Sequence, residues 1–144
     1  MKRHHATGQA MVEFSLAITI FLVFVMGIVD FGMAIYKYNG VSQAAREVAR
    51  VASVHQSGVG TSFGNSPQLT AVVATQKSLV PGLTTPTFAC TDVGGATVAL
   101  VSGNCPPDAY VRVEVTAAYR ASTPLLGLVG TFTMKGSSSA QIQQ

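Results

Sequence analysis

The side chains able to do chemistry are few and poorly grouped. Of the three histidines, His4 and His5 stand at the N-terminus and His55 stands alone in mid-chain, which is no metal-ligand spacing. Asp92, Asp108 and Glu114 define no carboxylate pair for general acid–base work. No GxSxG elbow surrounds any serine, and Gly94-Gly95 lacks the lysine and helix context of a phosphate loop. The expectation is therefore no catalytic residue, no metal, no cofactor and no small-molecule substrate.

Two further groups carry more. Cys90 and Cys105 belong to no CxxC pair and have no histidine beside them. In a domain outside the cytoplasm they would form a disulfide, and closing a loop of about 15 residues contributes ~3 kcal/mol by the chain-entropy relation. The alternative is two buried thiols. Glu13 is the other group, because it opens a long apolar run where a carboxylate costs a few kcal/mol unless it is hydrated or paired. If the chain is cut after Gly8, Gln9 bears a free α-amine one helical turn from Glu13. The two charges can then neutralise each other, within one chain or between neighbours. If it is not cut, Glu13 sits idle among lipid headgroups.

The element that must carry Glu13 is a helix. Charged residues are only 10% of the 144, hydrophobic ones are 48%, and Phe14 to Val29 holds no charge at all. That run is roughly 24 Å long as a helix; extended through Asp30 to Tyr36 it reaches roughly 34 Å, enough to span a ~30 Å hydrocarbon core. Lys2 and Arg3 precede it and belong on the cytoplasmic side. Asp30 then falls near the outer interface. Beyond the apolar run, Val41, Ala44, Ala45, Val48, Ala49 and Ala52 recur at three- and four-residue spacing, with Arg46, Glu47 and Arg50 opposite. The helix is thus predicted to continue to about His55, which an ordinary cleaved signal peptide would not do. The net charge of +3 is scattered, so nucleic-acid binding is not expected.

The segment Gly8-Gln9-Ala10-Met11-Val12-Glu13-Phe14 resembles the prepilin peptidase site: glycine, four residues, glutamate, aromatic. Asp30-Phe31-Gly32, Ala44-Ala45-Arg46-Glu47-Val48-Ala49-Arg50, Val113-Glu114-Val115-Thr116, Tyr119-Arg120 and Thr123-Pro124-Leu125-Leu126-Gly127-Leu128 resemble the TadE-like pseudopilins of the tight-adherence (Flp) pilus system. It departs from that family at Thr19, where relatives often carry proline. The resemblance implies a minor pilin or pseudopilin that performs no catalysis and is cleaved between Gly8 and Gln9. Glu13 and Phe14 would act in recognition and helix packing. The implied partners are prepilin peptidase, other pilin subunits with the assembly machinery, and membrane lipid. The implied location is the cytoplasmic membrane, with the C-terminal domain outside.

The expected organisation is a leader over 1–8, a long helix over 9–55 with its membrane part about 14–36, a linker over 56–65, and an α+β domain over 66–144. Ser66-Pro67 reads as a helix start, Leu69, Val72, Val73, Leu79 and Val80 as its apolar stripe, and Pro81-Gly82 as its end. Tyr110 to Ala117 alternates cleanly and is the clearest strand. Thr97 to Val101 is predicted as a second strand, Thr131 to Ile142 as a third with Phe132, Met134 and Ala140 inward, and Thr85 to Cys90 as a weaker fourth. These strands make a small antiparallel sheet that must be covered on one face by the helices. The alternative to a pilus subunit is an unprocessed single-pass anchor presenting this domain as a binding module.

Overall fold

The computed structural model describes residues 4–56, 64–121 and 130–143 of the 144-residue chain, with side chains described from Gly8 onward. A long helix α1, His4–Val54, is followed by a short helix α2, Pro67–Leu79, and three strands: β1, Thr87–Thr91; β2, Tyr110–Arg120; and β3, Thr131–Gln141. The strands form one antiparallel sheet in the order β1-β2-β3. The fold is thus the expected α+β arrangement, a long N-terminal helix carrying a small sheet and a second helix. Lys2 and Arg3, most of the 56–65 linker, and the stretch Thr123–Leu128 lie outside the described residues.

The C-terminal part of α1 is buried along the stripe its spacing predicts: Val41, Ala44, Ala45, Val48, Ala49 and Ala52 all lie in the core. Small side chains on this stripe let the helix backbone come close to the sheet. At the closest point Gly136 of β3 faces the Val41 carbonyl, and a Cβ there would stand 2.8 Å from that oxygen. From β2 come Val111, Val113, Val115 and Ala117, every second residue, buried as the period of two requires. On the opposite face Glu114 takes Lys135 at 2.7 Å and Arg112 at 3.0 Å. Lys135 first, and then Arg112, holds the Glu114 carboxyl below the usual carboxylate range.

Ser66 caps α2. Its hydroxyl accepts from the Leu69 N–H at 3.2 Å and donates to the His55 carbonyl at 2.9 Å, so one buried side chain starts α2 and satisfies the end of α1. Leu69 is fully buried, whereas Leu79, expected on the same stripe, is exposed. Leu79 is the last residue of the helix, and the chain turns back to the sheet through Val80, which is buried beside Gly40.

Two strand expectations change. Thr85 to Cys90, read as the weakest, supplies β1. Thr97 to Val101 forms only isolated bridges, Thr91 with Thr97 and Val101 with Asn104. A tight turn with Ser102 and Gly103 both at positive φ reverses the chain at once, and Cys105 then returns to β1 as the disulfide partner of Cys90. The segment has no room to pair at length. In β3, Phe132, Met134 and Ala140 share the core-side parity with Gly136, but Phe132 remains half exposed, opposite Tyr119 near the end of the sheet.

Candidate functional site

The residues singled out in the sequence fall in two places along α1. Gly8, Gln9, Glu13 and Phe14 lie near its N-terminus, all exposed, on a helix that runs without a break from His4. A Cβ at Gly8 would meet nothing within 4 Å. The fold therefore gives no reason for glycine there, although glycine in a helix interior costs about 1 kcal/mol relative to alanine. Glu13 and the Gln9 backbone lie one turn apart on the same face.

From there the helix is apolar and unpartnered. An 18-residue window of α1 has mean hydropathy 2.5, and none of it is buried in the fold, so by length and composition this helix can cross a membrane. Its two hydroxyls are satisfied internally: Ser15 donates to the Met11 carbonyl at 2.8 Å and Thr19 to the Ser15 carbonyl at 2.7 Å. Such back-bonding lets polar side chains sit in an apolar run without an unsatisfied hydroxyl.

At the far end of this run Asp30 is only 3% exposed. The Tyr119 hydroxyl, from the next-to-last residue of β2, donates to the Asp30 main-chain carbonyl at 2.9 Å. Desolvation, with the Asp30 charge as a smaller cause, raises the Tyr119 pKa. Here the sheet is tied to the helix at the residue that follows the uncharged run Phe14–Val29. Sequence reading placed Asp30 at an interface but did not pair it with Tyr119, which lies 89 positions away; no local spacing reports such a contact. Beside this tie a groove of about 680 Å³ opens between α1, the end of α2 and the end of β2, lined among others by Met33, Tyr36, Lys37, Leu79, Tyr119 and Arg120.

The other candidates are dispersed. Cys90 and Cys105 are joined as a buried disulfide, Asp92 closes a turn by accepting from the Ala96 N–H at 2.8 Å, and Glu114 is held by its two cations.

The Gly8–Phe14 segment, the exposed apolar run and most of the packed part of the helix fall within one continuous stretch that matches a family model. Residues 8–50 match the family model described as TadE-like protein. Over that stretch the match is consistent with a TadE-like protein of the tight-adherence pilus system. It covers α1 from Gly8 to Arg50 and stops before α2 and the sheet. No curated protein and no solved structure matches the chain.

Proposed function

We propose that this chain is a minor pilin or pseudopilin, cut by prepilin peptidase between Gly8 and Gln9 and assembled through α1 into a tight-adherence pilus or its priming complex. The observation that carries the proposal is Gly8-Gln9-Ala10-Met11-Val12-Glu13-Phe14 presented entirely on the surface of a helix that continues into an unpartnered apolar run. A glycine with no role inside the fold is what an external enzyme reading a small residue would need. Glu13 then balances the new α-amine of Gln9, and Phe14 packs against neighbouring subunits. Lys2 and Arg3 stay in the cytoplasm and the sheet domain faces outward. The chain contributes structure and contacts and no catalysis of its own.

One observation favours a second reading, an unprocessed single-pass anchor: α1 passes through the Gly8–Gln9 bond as continuous helix. Intact mass and N-terminal sequence of the mature protein, with and without co-expressed prepilin peptidase, separate the two. The expected result is a chain beginning at Gln9 only when the peptidase is present. Retention of the leader beside an active peptidase would reject the pilin reading in favour of the anchored module, and a cut beyond Tyr36 would reject both.

A further inference from the structure

The groove between α1, α2 and β2 is placed and charged in a way that packing of this chain alone does not explain. Met33, Tyr36, Lys37 and Gly40 line it at spacings of three and four residues, on one face of α1. The same stripe extends back through Val29, Met26 and Leu22, all exposed and all apolar. Tyr36 is 81% exposed and Leu79, across the groove, 66%. The groove also holds two cations. Among the described residues the ion pairs are made by Arg50, Arg112 and Lys135; neither Lys37 nor Arg120 takes part in them. No carboxylate lines the groove.

We propose that this groove binds one anionic phospholipid of the leaflet nearest the sheet domain, with its phosphate between Lys37 and Arg120 and an acyl chain along Tyr36, Met33, Val29 and Met26. Length and charge both fit. Met26 to Tyr36 spans ten helical rises, roughly 15 Å, which is about half the ~30 Å hydrocarbon core and so the depth of one leaflet. Asp30 lies within this span, deeper than the interface expected for it, but is buried beside Tyr119 and turned away from the acyl chain. A tyrosine and a lysine at the end of such a stripe occupy the headgroup level, the ring at the boundary and the ammonium reaching outward. Arg120 adds a planar donor fork matched to phosphate oxygens. It arrives at the end of the strand whose neighbouring Tyr119 is bonded to Asp30, so the sheet fixes one of the two cations relative to the helix. The bound lipid would set the depth and tilt of α1 relative to the domain above it.

The proposal rests on α1 spanning a membrane and is independent of processing or pilus assembly. The test uses the full chain. Flotation with phosphatidylcholine vesicles comes first: absence of membrane association would overturn the span and this site together. Native mass spectrometry of the detergent-solubilised chain, given equimolar phosphatidylglycerol and phosphatidylcholine, then reads the site. At up to about fivefold per cation near a headgroup, a preference for phosphatidylglycerol on the order of tenfold is expected. It should fall to near parity in K37Q/R120Q and persist in K2Q/R3Q, which removes the cations at the other end of the span. Because Lys37 and Arg120 make no ion pairs among the described residues, the double variant is expected to keep the wild-type circular dichroism spectrum. Excess inorganic phosphate should leave the lipid bound; its displacement by phosphate would overturn the lipid as occupant. Flotation without any headgroup preference, or a preference that survives in K37Q/R120Q, would reject the site and leave the membrane span standing.

Discussion

A methyl group added at Gly136 would stand 2.8 Å from the carbonyl oxygen of Val41 and 3.0 Å from its carbon. Both are backbone atoms of the most buried stretch of α1, so neither can swing aside as a side-chain tip would. Two effects oppose each other in Gly136→Ala. Strand propensity favours alanine by roughly 0.5–1 kcal/mol, because glycine loses more backbone freedom on folding. Overpacking against a fixed helix costs roughly 1–3 kcal/mol. The contact should win, and the variant should lose about 1–2 kcal/mol in denaturant unfolding of the detergent-solubilised chain. Ser137→Ala, one position on and exposed, should stay within about 0.5 kcal/mol of wild type. A stabilised Gly136→Ala would mean that α1 lies farther from β3 than described. No periodicity in the sequence marks Gly136, since the glycine is set by the partner's backbone and not by its own strand.

The elements were legible where the governing rule is local. Ser66-Pro67 announces the start of α2 because an N-cap needs only its own next three residues, and the Ala/Val stripe of α1 announces a packed helix face because 3.6-residue spacing is intrinsic to the chain. Tyr110 to Ala117 was legible for the same reason, its alternation matching a sheet buried on one face, although β2 continues to Arg120. Thr97–Val101 was misread because alternation there meets no partner strand: the reversal at Ser102-Gly103 and the Cys90–Cys105 closure decide its course from outside. The same limit hid the Tyr119–Asp30 tie and the groove beside it. Ser66 offers a test of how far a local rule reaches into tertiary structure. As a cap alone, Ser66→Ala would cost about 1 kcal/mol. Because the same hydroxyl also serves the His55 carbonyl at 2.9 Å, the expected loss rises to about 2–3 kcal/mol, again read by denaturant unfolding of the full chain. A loss of only about 1 kcal/mol would mean that the tie between the two helices is made equally well by water.

For the whole molecule, the division of α1 into a packed half and a bare half is what needs explaining. The half from Val41 to Ala52 is packed on the sheet, while Gly8 to Val29 is not buried by any of the described residues. Lipid alone would satisfy the apolar side chains of the bare half, but lipid does not satisfy Glu13 at its head. If Gln9 becomes the N-terminus, its ammonium and the Glu13 carboxylate bring near-neutrality to that end of the span, and pairing between neighbours then favours assembly, since separated chains leave charges uncompensated in a low-dielectric setting. Glu13→Gln isolates this step. It keeps size and helix propensity, removes the carboxylate, and leaves the ammonium alone at a cost of a few kcal/mol. In cells relying on the variant, cleavage after Gly8 should still be seen by intact mass, while pili counted by electron microscopy should fall by on the order of tenfold or more. The separation of the two readouts matters, because loss of cleavage would place Glu13 in peptidase recognition, upstream of assembly. Cleaved protein with normal piliation would remove the charge-pairing account, and the bare half of α1 would then have to assemble through its apolar surface alone.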